Sequence, residues 1–208
     1  MNELVKRSIS GFIFIVIILF GTTYSQTSFL LLYVLLGCIS IYEMWNILEK
    51  KTILPLIFVS LPFLLINSLI DNNSENEFDP SLVLYILILT WTFDSFAYLI
   101  GSRYGKNKIL PKISPKKSWE GFVGGYIFTL TISFILMNYK AFLFQEYIII
   151  AFILPITATI GDLIASYYKR KSNIKDYGKI IPGHGGIIDR LDAILITIPV
   201  VVIINMIR

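Results

Sequence analysis

Tyr147–Tyr168 reads YIIIAFILPITATIGDLIASYY. The run is continuous and apolar, and it carries one charge, Asp162. Its length matches the roughly 20 residues an α-helix needs to cross the hydrocarbon of a bilayer. The rest of the chain is similar in character. Of 208 residues, 55% are hydrophobic and 15% are charged, and the mean hydropathy is +0.72. A soluble domain carries about 25% charge, so this chain has too few polar groups to cover a water-facing surface. The same composition excludes disorder. A single cysteine, Cys38, excludes a disulfide framework and reads as a packing residue. A net charge of +4 gives no basis for bulk nucleic-acid binding, and no nucleic-acid partner is expected.

Six further apolar runs accompany the first: Ser10–Tyr24, Ser28–Leu48, Ile53–Ile70, Leu82–Ile100, Gly121–Met137 and Ile187–Ile207. None alternates polar with apolar, which argues against a β-barrel. The expected fold is all-α: a polytopic integral membrane protein of about seven transmembrane helices, with residues 1–208 as a single membrane domain. The run at Ser10 is short, but Gly21-Thr22-Thr23 is a poor cleavage site, so it reads as a span rather than a signal peptide. The polar stretch Asp71–Pro80 separates an N-terminal three-span part, 1–75, from a catalytic part, 80–208; a plain connector is the alternative.

The loops set the orientation. Lys6 and Arg7 precede the first run, and Lys50 and Lys51 follow the second. Arg103, Lys106, Lys108, Lys112, Lys116 and Lys117 fill the loop after the fourth. Lys169, Arg170, Lys171, Lys175 and Lys179 follow the sixth. With seven spans, fifteen of the 18 basic residues fall on one side. Lys140, Arg208 and the acids Asp71, Glu75, Glu77 and Asp79 fall on the other. Lys and Arg accumulate on the cytoplasmic side, so the N-terminus and both long basic loops are expected there.

A charged residue at mid-span costs about 2.5–3.5 kcal/mol on insertion scales, so each such residue is a functional hypothesis. Glu43, Asp94, Asp162, Asp189, Arg190 and Asp192 lie in or at the ends of spans, all in the half of the membrane beneath the basic loops. Asp189 and Asp192 are spaced i, i+3, and Asp162 and Ser166 i, i+4, so each pair shares a helical face. Asp162, Asp189 and Asp192 can enclose a hard cation, and oxygen ligands without a His or Cys cluster favour Mg²⁺ over zinc. Alternatively, these acids pair with Arg190 and nearby lysines and anchor helix ends. Glu43 divides evenly between a site role and pairing with Lys50 or Arg7.

Between Asp162 and Asp192 runs a loop with Pro182, Gly183, His184, Gly185 and Gly186 just before a helix start. Exposed backbone N–H groups there suit phosphate, and Lys169, Arg170 and Lys175 add positive charge. A helix-capping turn in a positively charged loop is the plainer reading. Anion and metal binding within one loop is the chemistry of nucleotide polyphosphate. In the other basic loop, Pro115 with its Ser and Lys neighbours suggests a turn or re-entrant piece. Lys116 and Lys117 are placed to bind phosphate or lipid headgroups. Trp119 reads as an interfacial anchor.

The segment from Ser166 to Asp192 resembles the signature of the phosphatidate cytidylyltransferases, the CDP-diacylglycerol synthases. The matching residues are Ser166, Lys169-Arg170, Lys175-Asp176, Pro182-Gly183-His184-Gly185-Gly186 and Asp189-Arg190-Leu191-Asp192. Tyr168 departs from the usual aliphatic residue or Phe. Asp94-Ser-Phe-Ala-Tyr98 and Ser114-Pro-Lys-Lys-Ser118-Trp-Glu-Gly121 resemble further family segments. The resemblance implies a reaction of phospholipid biosynthesis: CTP and phosphatidate give CDP-diacylglycerol and pyrophosphate. It implies that Asp162, Asp189 and Asp192 hold Mg²⁺, with K⁺ as a candidate second cation. Catalytic roles fall to Asp162, Ser166, Lys169, Asp189 and Asp192. Substrate binding falls to Asp94, Ser114, Lys116, Lys117, Ser118, Arg170, Lys175, Asp176, Gly183, His184, Gly185, Gly186 and Arg190. The implied partners are CTP, phosphatidate, membrane lipids and a second copy of the chain in a homodimer. The implied location is a bacterial inner membrane, with the active site facing the cytoplasm. Rival readings are a CTP-dependent lipid kinase, a cytidylyltransferase for another lipid, or a cation transporter. The uncharged outer halves of the last two spans argue against a through-path for ions.

Overall fold

A computed structural model describes residues 3–48, 52–72, 78–138 and 147–207. Lys50, Lys51, Glu75, Glu77, Lys140 and Arg208, used above for orientation, lie outside the described residues.

Five helices are long and apolar enough to cross a membrane: α1 (Glu3–Thr23), α2 (Gln26–Ile47), α4 (Ser81–Tyr104), α5 (Trp119–Asn138) and α6 (Tyr147–Lys171). Two apolar helices are shorter. One is α3 (Ile53–Leu65), which tightens into a 3₁₀ turn at Ile66–Leu69. The other is α8 (Ile194–Ile207), which follows the single turn α7 (Ile188–Leu191). The protein is thus an all-α membrane protein, and the described residues show two of the anticipated spans as short helices.

Each departure from the expected boundaries has a local cause. The first helix is longer than its apolar run, because residues 3–9 continue it as an extra N-terminal stretch. The seventh run breaks at Asp192–Ala193, where Asp192 Oδ1 accepts the Ala193 N–H at 2.9 Å. Gly161 of α6 admits this backbone: a Cβ there would stand 2.5 Å from the Asp192 carbonyl oxygen. The piece expected to be a turn or re-entrant segment is a hairpin. Its strands are β3 (Lys108–Leu110) and β4 (Ser114–Ser118), paired antiparallel; a smaller pair, β1 (Asp71–Asn72) and β2 (Phe78–Asp79), precedes α4. Glu120 holds the hairpin base by accepting the Asn107 N–H at 3.1 Å and the Asn107 side-chain amide at 2.8 Å.

Packing among the helices relies on small residues and buried hydroxyl pairs, as expected where lipid removes the hydrophobic drive between helices. Thr22 and Tyr33 join α1 to α2 at 3.0 Å, Tyr85 and Ser133 join α4 to α5 at 2.6 Å, and Thr157 and Thr197 join α6 to α8 at 2.9 Å. Among the described residues the α4–α5 contact is the most extensive. A Cβ on Gly125 would meet the Phe93 carbonyl at 2.8 Å, and one on Gly121 would meet the Ala97 carbonyl at 2.6 Å. Gly125→Val therefore forces the pair apart, and overpacking of this kind costs about 1–3 kcal/mol. The thermal midpoint of the detergent-solubilised variant should fall by several degrees; an unchanged midpoint would contradict this account of the interface.

Candidate active site

The loop between α6 and α8 is built on left-handed backbone at three points. Asn173 (φ 52°) ends α6, and the Ile174 N–H returns to the Lys169 carbonyl at 3.0 Å. Gly183 (φ 76°) and Gly185 (φ 89°) shape the Pro-Gly-His-Gly turn, closed by the Ile181 N–H on the Gly185 carbonyl at 2.9 Å. The glycines of this stretch are therefore required by geometry.

One carboxylate ties the turn to α6. Asp189 Oδ2 accepts the N–H of Tyr177 at 2.7 Å and that of Gly186 at 2.9 Å. Its Oδ1 pairs with Lys169 Nζ at 2.9 Å, and the pair is largely shielded from solvent. Lys169 also lies 5.5 Å from the centre of the Tyr177 ring. Tyr177 donates its hydroxyl to the Ala165 carbonyl at 2.7 Å. Burial first, then the nearby Asp189 charge, pushes that phenol well above its ordinary range, so it stays a donor. Arg190 donates to the His184 carbonyl at 2.7 and 3.0 Å, closing the turn from the other side.

The first two helices reach the same loop. Glu43 of α2 is buried, and its two oxygens each accept one N–H, from Ile187 and Ile188, at 3.0 Å. Of the two readings left open for Glu43, an ion pair with Arg7 is not found among the described residues, and Lys50 lies outside them. Ser10 of α1 donates to the Pro182 carbonyl at 2.8 Å and lies 2.9 Å from His184 Nδ1. Partial burial, then the Arg190 and Arg7 charges, lowers the His184 pKa and favours the neutral ring. Sequence reasoning missed Ser10 and Tyr177, and nothing in their local pattern marks them. Glu43 was marked by the cost of its charge.

Beside the loop lies an acidic crevice. Asp162 accepts the Ser166 hydroxyl at 3.0 Å through Oδ1, and its Oδ2 pairs with Lys117 of β4. Asp192 has Asp162 and Asp94 as charged neighbours, balanced by Lys169 and Lys117. Asp94 is accessible to solvent yet densely surrounded by protein, the position of a group lining a concave wall. Arg170 Nε donates to the Ile113 carbonyl at 3.2 Å, so the two basic loops meet.

The expected residues therefore divide. Asp94, Lys117, Asp162, Ser166, Lys169 and Asp192 converge on the crevice. Gly183, His184, Gly185, Gly186, Asp189 and Arg190 build the turn, and Asp176 flanks it beside Gly185. Ser118 is buried, and its hydroxyl accepts the Gly121 N–H at 3.2 Å to cap α5. Ser114 sits in the hairpin, paired with Leu110. Lys116 and Lys175 are exposed, without an ion pair among the described residues. Among those residues no three His, Cys, Asp or Glu side chains form a ready-made metal cage. The donors still fit Mg²⁺, which takes one or two protein carboxylates and leaves other positions to water and phosphate. Asp162 and Asp192 offer that chemistry; both Asp189 oxygens are engaged by protein donors.

Comparison with known proteins places the chain in a family. Residues 50–207 match the model of the cytidylyltransferase family. A phosphatidate cytidylyltransferase of Rickettsia bellii is 31% identical over 98% of this chain and 91% of its own length. One from Rickettsia prowazekii is 35% identical over 96% of this chain and 90% of its own. One from Haemophilus influenzae is 44% identical over 57% of this chain and 43% of its own. An α6-to-α8 loop clamped on Asp189, an acidic crevice beside it, the family match over residues 50–207 and the likeness to the two Rickettsia proteins over at least 90% of each chain lead to one conclusion: the chain belongs to the cytidylyltransferase family, alongside the phosphatidate cytidylyltransferases.

Proposed function

We propose that this protein transfers the cytidylyl group of CTP to phosphatidate, forming CDP-diacylglycerol and releasing pyrophosphate. The observation that carries the reading is the junction of the Lys169–Asp189 clamp with the Asp162–Asp192 crevice, in a chain whose full-length relatives carry that enzyme's name. In the reaction a phosphate oxygen of phosphatidate bonds to the α-phosphorus of CTP. The bond from that phosphorus to the bridging oxygen breaks, and pyrophosphate leaves with its electron pair. Phosphatidate is already anionic near neutral pH, so its oxygen needs little help from a base. The barrier lies in bringing two polyanions together and holding them in line.

Lys117, Lys169, Arg170 and Lys175 neutralise phosphate charge, and the Gly183–Gly186 turn offers backbone N–H groups to the nucleotide. Partial burial and the Arg190 and Arg7 charges favour the neutral ring of His184 beside Ser10, and the residue is assigned to shaping the turn, not to proton transfer. Asp162 and Asp192 would hold Mg²⁺, and Asp189 would join them by exchanging its Lys169 partner for the ion. Bound there, the ion would polarise the α-phosphoryl oxygen and screen the departing pyrophosphate. K⁺ is the proposed second cation. The proposed orientation places this end of the bundle in the cytoplasm, at the inner membrane, where the basic loops face anionic headgroups.

Purified protein given labelled CTP and a panel of lipid phosphates should yield a Mg²⁺-dependent CDP-lipid from phosphatidate. No such product would sink the reading. Asp192→Asn should lose at least about 100-fold in turnover while the protein stays membrane-inserted, since charge stabilisation at a transferring phosphoryl group carries that much. Near-normal turnover would remove Asp192 from the metal site. Lys117→Met should raise the KM for CTP about 10-fold with a smaller change in kcat, the pattern of lost ground-state binding. A KM equal to wild type would leave Lys117 as a partner of Asp162 alone.

A further inference from the structure

We propose that Glu43, in the N-terminal part of the chain, is a positioning residue for cytidylyl transfer, holding the signature loop in its working shape. The inference rests on the reaction proposed above. Burying a carboxylate is costly unless it is hydrogen-bonded or paired. Glu43 is 2% exposed and makes no ion pair among the described residues. Its charge is met instead by two backbone amides, Ile187 and Ile188, one on each oxygen at 3.0 Å.

The loop is shaped to receive that carboxylate. A Cβ on Gly178 would stand 2.5 Å from Glu43 Oε1, and a Cβ on Gly186 would collide with the whole carboxylate group. Two separate points of the loop therefore lack side chains where Glu43 enters. Gly186 is shared: one face packs on Glu43, and its N–H donates to Asp189 Oδ2 at 2.9 Å. Asp189 in turn holds Lys169 at 2.9 Å. A shift of Glu43 is passed through Gly186 to Asp189 and Lys169, and Asp192 follows one turn later. A side chain that only filled space would be replaceable by an isostere. Two amide donors need two acceptors, and glutamine offers one acceptor and one donor.

The test compares purified, reconstituted wild type, Glu43→Gln, Gly186→Ala and the double variant, with phosphatidate and CTP as substrates. Ser40→Ala serves as control, because Ser40 is buried in the same helix and its hydroxyl has no partner among the described residues. Glu43→Gln should lower kcat at least about 10-fold with the KM for CTP changed less than about 3-fold, as expected of misplaced reacting groups. Ser40→Ala should match wild type. Gly186→Ala displaces the same carboxylate, so the double variant should be no worse than Gly186→Ala alone. A Glu43→Gln kcat within about 2-fold of wild type, or multiplicative losses in the double variant, overturns the proposal. If Glu43→Gln fails to fold, Gly186→Ala decides: loss of kcat with KM kept supports the proposal, and loss of KM with kcat kept overturns it. Wild type without CDP-lipid product would overturn the reaction reading instead, and that outcome is separately visible.

Discussion

The site depends on the Asp189 carboxylate, which accepts two backbone amides and a lysine ammonium at the end of an apolar helix bundle. A loop rich in backbone N–H groups cannot settle against lipid-facing helices unless those groups find acceptors. Water is one solution, and an exposed flexible loop would use it. This loop uses buried or half-buried carboxylates from its own chain. Asp189 collects Tyr177 and Gly186, Glu43 collects Ile187 and Ile188, and the turn between them closes on itself through Ile181 and Gly185. The result is a rigid rim, and a rigid rim is what in-line transfer between two anionic substrates demands.

The same clamps leave the charge distribution uneven in a useful way. Asp189 and Glu43 have their negative charge spent on protein donors. Asp162, Asp192 and Asp94 are charged neighbours with fewer donors, and Lys117 and Lys169 are the cations near them. Like charges held close are unfavourable unless a cation shares the site. On the proposed reading, such a cluster would exchange part of its lysine pairing for a metal ion and phosphate groups. The lysines would then be free to meet the phosphates. The ion pairs of the crevice and the proposed phosphate contacts would be two uses of the same side chains.

Much of this was legible in the sequence because its signals were local. Apolar runs of membrane length set the helices, and a dense spacing of Ser166, Lys169, Asp189 and Asp192 marked the loop. What was not legible depended on contacts between distant segments. The seventh run reads as one helix, yet it breaks at Asp192, where Gly161 of α6 lets the backbone in. The stretch from Lys108 to Ser118 has two prolines and four lysines and gives little strand signal, yet it pairs because Glu120 gathers the amides at its base. Glu43 was conspicuous as a charge in a span, but its partners are backbone amides, which no residue type announces. Ser10 carries no signal of its own, and its role follows only from the approach of α1 to Pro182 and His184.

These distant contacts change the standing of the N-terminal helices. By composition they are lipid-facing spans, and much of α1 is indeed exposed along its apolar face. An anchor alone has no need of polar groups at the loop-facing end. Here α1 brings Ser10 to the turn and lays the Arg7 stem over Gly183, while α2 sinks a carboxylate beneath Gly186. Gly183 lacks a side chain at the point where Arg7 crosses, and Gly186 lacks one where Glu43 enters. The glycines of the loop thus serve two surfaces at once: an outer one that leaves backbone open, where the nucleotide is proposed to bind, and an inner one that lets the first two helices close against it. A glycine at such a position is constrained from both sides, so the spacing of the turn is set by its seat on α1 and α2 as much as by the phosphates it is proposed to meet.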